Sequence, residues 1–284
     1  MKDMKKTVKW ITVIAILSVV VLLVVLKLID ESNKVEFADE YLGKLIMADG
    51  LYNKSKEENL KGLEYKDFRK DDLKYVTSVD TDLLRHFETL VDLEKCPNLE
   101  FLKIRDGYGK DIEDWGDGVE QYYEMANLNP PPLLSAEKIR QFETELEGIL
   151  QECPKLDRLN IYNTGGTFSL DSLQFLVYGQ NLGGLHLDSL GDIDYSPVLE
   201  CTNLELLSLS HCEISELGEI SRLENLRFLW LDYTGIKEAG DIVNLKNLEK
   251  LYIMGAPLAE NEEELQILRE ALPGLEIITE VPWD

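Results

Sequence analysis

Three six-residue phrases recur at a fixed distance: LELLSL at 204–209, LRFLWL at 226–231 and LEKLYI at 248–253. Each has the form L-x-x-L-x-L, and each begins 22 residues after the last. The shared register runs past the phrase, with Ile214, Ile236 and Leu258 at one position and Cys212, Thr234 and Ala256 at another. The same phrase opens at Leu182 (LGGLHL), Leu156 (LDRLNI) and Leu99 (LEFLKI). A unit this short cannot bury its own apolar face, so each must stack on the next and add one short parallel strand to a common sheet.

A period in the twenties carrying this phrase marks a leucine-rich repeat solenoid. The 22-residue length leaves no room for a full helix on the return, and in this the repeats resemble the internalin-like leucine-rich repeats of bacterial surface proteins. The resemblance implies an α/β solenoid with a parallel concave sheet over residues 93–284. A helical N-terminal cap with a degenerate first repeat is expected over 37–92, and a C-terminal cap at the far end.

Charge narrows the partners. The chain carries a net −25, and residues 1–29 hold five Lys and one Asp, so the other 255 residues sum to −29. Such a body is repelled by nucleic acid, and no nucleic-acid partner is expected. Cys96, Cys153 and Cys201 each stand three residues before the first Leu of a phrase, where the strict repeats have Leu223 and Leu245. They read as small buried apolar residues. Cys212 falls at the turn after the strand, and no C-x-x-C is present, so neither metal nor cofactor is expected. Cys96 and Cys153 hold equivalent positions in adjacent coils, yet their leucine neighbours favour free thiols.

Lys2, Lys5, Lys6 and Lys9 precede an apolar run from Trp10 to Ile29 that is broken by Thr12, Ser18 and Lys27. At ~1.5 Å per residue the run spans a ~30 Å hydrocarbon core. The Lys excess before it, against Asp30 and Glu31 after it, predicts a cytoplasmic tail at 1–9 and a transmembrane signal-anchor helix at 10–29 in the lipid bilayer. A tether at 30–36 and an extracytoplasmic repeat domain follow. KLIDESNKVEF has no A-x-A site, so the helix is expected to stay uncleaved.

Beyond the tether, FADEYLGKLIMADGLY places Phe37, Tyr41, Leu42, Leu45 and Ile46 at helical spacing, with Gly50 and the polar NKSKEEN expected to end the helix. DLKYVTSVD reads as the degenerate repeat. Leu156 comes 57 residues after Leu99, against a regular 22, so an insertion is expected at about 105–152. Its acidic, Gly-rich first part fails the EF-hand order from Asp106, since Tyr108 and Lys110 take the third and fifth positions. A solvated loop is expected there. In its second part Ser135 can cap a helix with Ile139, Phe142, Leu146 and Ile149 on one face. The chain closes with a helix carrying Leu265, Leu268 and Leu272 and a short strand near 275–278.

Side chains alternate along a strand, so if the leucines point in, the other face can be written out. Three columns result: Phe101, Arg158, Gly184, Leu206, Phe228 and Lys250; then Lys103, Asn160, His186, Ser208, Trp230 and Tyr252; then Arg105, Tyr162, Asp188, Ser210, Asp232 and Met254. Phe228, Trp230, Tyr233 and Tyr252 gather on two adjacent strands and are expected to be solvent-exposed. With Tyr162, His186, Asp188 and Asp232 they form the candidate binding face, for a protein partner or a surface carbohydrate. A loop or cap of the same chain lying over the aromatics is the plain structural alternative.

His186, Asp188, Ser208 and Ser210 fall close enough to suggest a hydrolytic triad, but a flat, solvated sheet offers no oxyanion hole. Nor does the chain contain a P-loop, G-x-G-x-x-G, H-E-x-x-H or G-x-S-x-G sequence. No enzyme activity is expected. The sequence therefore points to a membrane-anchored interaction protein that binds through the concave face. The alternative is an accessory subunit held to a membrane complex by its transmembrane helix.

Overall fold

The computed structural model describes residues 19–81, 84, 87–105, 133–163 and 168–280. Among them eight strands form one parallel sheet in strict sequence order. These are β1 (Ser78–Thr81), β2 (Phe101–Arg105), β3 (Arg158–Tyr162), β4 (Gly184–Asp188), β5 (Leu206–Ser208), β6 (Phe228–Trp230), β7 (Lys250–Tyr252) and β8 (Glu276–Ile278). The expected leucine-rich repeat solenoid is the fold observed. Leu102, Leu159, Leu185, Leu207, Leu229 and Leu251 pair rung by rung across six strands, and all are fully buried.

Behind the sheet the chain returns through short 3-10 turns, at Val91–Lys95, Gln174–Tyr178, Ser196–Glu200, Ile220–Arg222 and Gly240–Asn244. Strands sit ~4.8 Å apart, so one face of the sheet packs against these returns and the other is left open. An asparagine ladder joins successive coils: the amides of Asn98, Asn203, Asn225 and Asn247 donate to the carbonyls of Lys74, Gln180, Thr202 and Glu224, at 2.6–3.1 Å. Each is worth about 1 kcal/mol net.

Residues 19–32 are helical (α1) and exposed along their length. Among the described residues no helix is long and apolar enough to cross a membrane; the expected span begins at residue 10, outside them. Helix α2 (Glu40–Glu57) starts on Asp39, whose carboxylate accepts from Leu42 N, and buries Leu42 and Ile46. It runs through Gly50 and ends at Glu57, within the polar NKSKEEN stretch. A Cβ at Gly50 would lie 2.6 Å from the Phe68 ring, so this glycine admits a neighbour inside the helix. Tyr41 is exposed and Phe37 lies outside the helix, half-buried.

Helix α3 (Ala136–Glu152) is capped by Ser135 and buries Ile139, Phe142, Leu146 and Ile149. It packs against the turns at Val91–Lys95 and Gln174–Tyr178, in the place a 3-10 turn takes ahead of other strands. β2 and β3 pair directly across the intervening chain. The acidic stretch from Asp106 lies outside the described residues. Helix α4 (Glu262–Ala271), capped by Asn261, buries Leu265 and Leu268 before β8. All four cysteines are free and buried. Burial raises each thiol pKa, to about 12 for Cys153 and Cys201.

Candidate binding face of the sheet

Backbone pairing fixes the open-face columns. Phe101, Arg158, Gly184, Leu206, Phe228 and Lys250 stand side by side, as do Lys103, Asn160, His186, Ser208, Trp230 and Tyr252. Arg105, Tyr162 and Asp188 begin the third column. At the next position inward Leu231 and Ile253 are buried, as the alternation requires.

Trp230 and Tyr252 face each other across β6 and β7 with ring centroids 4.6 Å apart and planes 7° apart. Phe228 lies 6.1 Å from Trp230 at a 35° tilt. Trp230, Tyr252 and Phe228 are half-buried, which corrects the expectation that they are solvent-exposed. Where the rings stack, each covers part of its neighbour.

Tyr162 and His186 make a second pair, 4.6 Å between centroids, with the Lys103 ammonium 5.7 Å above the Tyr162 ring. Lys103 also pairs with Asp80 at 3.2 Å. β5 separates the two aromatic groups. Its Ser208 is only 1% exposed, with its hydroxyl 3.4 Å from His186 Nε2 and 3.4 Å from Ser210 Oγ. A hydroxyl so covered cannot meet a substrate, and the Asp188 carboxylate accepts from Ser189 Oγ at 2.6 Å. These residues do not build a hydrolytic site.

The two aspartates are not free charges on the face. Asp188 is buried, and the half-buried Asp232 accepts from Met254 N at 2.7 Å. Burial raises the Asp232 pKa, against that hydrogen bond and the nearby His211.

Tyr233 does not join the Trp230 stack. It follows β6 at φ 55°, is 51% exposed, and stacks on His211 with centroids 4.7 Å apart and planes 18° apart. Ser189, His211, Tyr233 and Gly255 all have positive φ at intervals of 22 residues. This left-handed column, and with it His211, was not among the expectations from sequence. Its signal was the period itself, since a left-handed residue in one repeat implies one in the next. Gly255 completes it, because a Cβ there would meet Tyr233 Cδ1 at 2.5 Å.

One strand per repeat, most repeats 22 to 26 residues long, columns of buried leucines and a parallel sheet over 3-10 returns define the class of the fold, a leucine-rich repeat solenoid. No protein-family model matches the chain, and no curated protein sequence matches it. Among solved structures it is similar to internalin C2 of Listeria monocytogenes, at 14% identity and a TM-score of 0.48 over 86% of this chain and 94% of that one. It is also similar to TLR13 in a complex with single-stranded RNA, at 17% identity and 0.47 over 75% of this chain and 27% of that one. A leucine-rich repeat protein of Leptospira interrogans matches at 19% identity and 0.36, over 73% and 62%.

Proposed function

We propose that this chain is a membrane-anchored, extracytoplasmic interaction protein that binds a protein partner, or a surface carbohydrate, through the concave face of its sheet. The observation that carries this reading is the Trp230–Tyr252 stack on the open face, with Phe228 beside it. Aromatic rings placed outside a leucine core add nothing to that core. They offer large apolar area at low entropic cost, as binding hot spots do. The membrane address rests on the apolar run from residue 10 to 29 with its lysines on one side, and the end helices act as caps for the stack.

The test is capture of the partner by the full-length protein, by Trp230→Ala/Tyr252→Ala, and by a chain whose residues 10–29 are replaced with an unrelated membrane helix. The proposal expects loss in the first variant and retention in the helix swap. The reverse pattern would make the protein an accessory subunit held by its helix.

A further inference from the structure

The segment leaving the apolar run is fastened to the repeat domain. Arg69 donates from Nε and Nη2 to Asp30 Oδ1 at 3.0 and 2.8 Å, and from Nη1 to the carbonyls of Lys66 and Phe68. Lys70 donates its ammonium to Ser32 O at 2.8 Å and its backbone N–H to Asn33 O at 3.0 Å. Lys95 reaches Glu36 O at 2.9 Å, and the Phe37 ring lies 6.4 Å from that of Phe68. The exit of α1 therefore has a set direction relative to the domain.

Two adjoining recesses open beside that exit and share Tyr65. One, of about 420 Å³, is lined by Asp30, Lys34, Val35, Met47 and residues 65–69. The other, of about 520 Å³, is lined mainly by Leu51, Tyr52, Leu60, Leu63 and Tyr65. Tyr52, Tyr65 and Leu60 are 57%, 52% and 40% exposed. The part of the chain around these recesses is acidic, but much less so than the repeats. Residues 30–81 hold nine Lys and Arg against 13 Asp and Glu, whereas residues 82–284 hold 15 against 40.

We infer that this surface lies on the phospholipid headgroups around the anchor, with Tyr52, Leu60 and Tyr65 at the interface and the exposed ammoniums of Lys34 and Lys66, which pair with Glu31 at 2.9 Å and Glu64 at 2.7 Å, on the side toward phosphate. The inference rests on the membrane-anchored reading above. Tyr and Lys flanking an apolar helix suit the interfacial zone, while the strongly acidic repeats are repelled from anionic lipid. The clamp then holds the sheet at a fixed attitude to the bilayer.

The test uses full-length protein in phosphatidylethanolamine/phosphatidylglycerol vesicles. Fluorophores are placed one at a time by Val21→Cys, Lys66→Cys or Glu263→Cys, with quencher nitroxides on either headgroups or acyl chains. Acyl-chain quenching at 21, several-fold stronger headgroup quenching at 66 than at 263, and loss of the excess at 66 in Asp30→Ala are expected. Quenching at 21 with equal, weak values at 66 and 263 overturns this inference and leaves the anchor standing. No quenching at 21 overturns both. An excess at 66 that survives Asp30→Ala overturns the clamp's part in it.

Discussion

Trp230 and Tyr252, one repeat apart in sequence, lie face to face at 4.6 Å with their planes 7° apart. Leu229 and Leu251 stand behind them, fully buried on the other side of the same two strands. One pair of strands thus carries a core and a contact surface back to back.

The two sides should answer differently to truncation. Leu229→Ala or Leu251→Ala opens a cavity in a stacked core and should cost roughly 2–5 kcal/mol. Trp230→Ala loses half-exposed area and one stacking contact, and should cost about 1 kcal/mol. Chemical denaturation of the three variants measures the difference; equal losses would contradict the face assignment.

Gly255→Ala should destabilise more than Gly218→Ala. Both glycines have positive φ, which alone costs an alanine about 1 kcal/mol. Only at Gly255 does the added Cβ also meet the Tyr233 ring, whereas at Gly218 it meets open space. Thermal melts compare the two, and equal shifts would mean that the ring does not rest on Gly255.

The buried thiols predict alkaline sensitivity. A thiol pKa raised by folding means that the native state keeps a proton the unfolded chain gives up. Stability is therefore complete below the ordinary thiol range and falls as pH rises through it toward about 12 for Cys153 and Cys201. The slope reaches about 1.4 kcal/mol per pH unit for each thiol. Cys201→Ala should flatten the alkaline limb of a stability–pH curve. Native protein should also leave a thiol reagent unreacted until denaturant is added, and prompt labelling would contradict the burial.

Long-range register was legible in the sequence because the 22-residue period repeats one geometry. Once Leu229 points inward, Trp230 must point out, and so must Ser208 and Tyr252. What escaped depends on contacts that no local pattern carries. Gly50 reads as the start of the helix's end until Phe68 is seen to need the space inside it. Residues 30–36 read as a tether because Arg69, which holds Asp30, is 39 residues away. Tyr233 was grouped with Trp230 by proximity in sequence, but its left-handed backbone turns it to His211.

The account stands most directly on partner capture by the concave face. Wild type, Trp230→Ala/Tyr252→Ala and Asn247→Ala, whose side chain lies among the return segments, should be compared against the same surface extract, after circular dichroism shows all three folded. The account predicts that one species is held by wild type and Asn247→Ala and is lost from the double variant, with affinity reduced by about 2 kcal/mol or more, roughly 30-fold. Retention of that species by the double variant at wild-type affinity would contradict it.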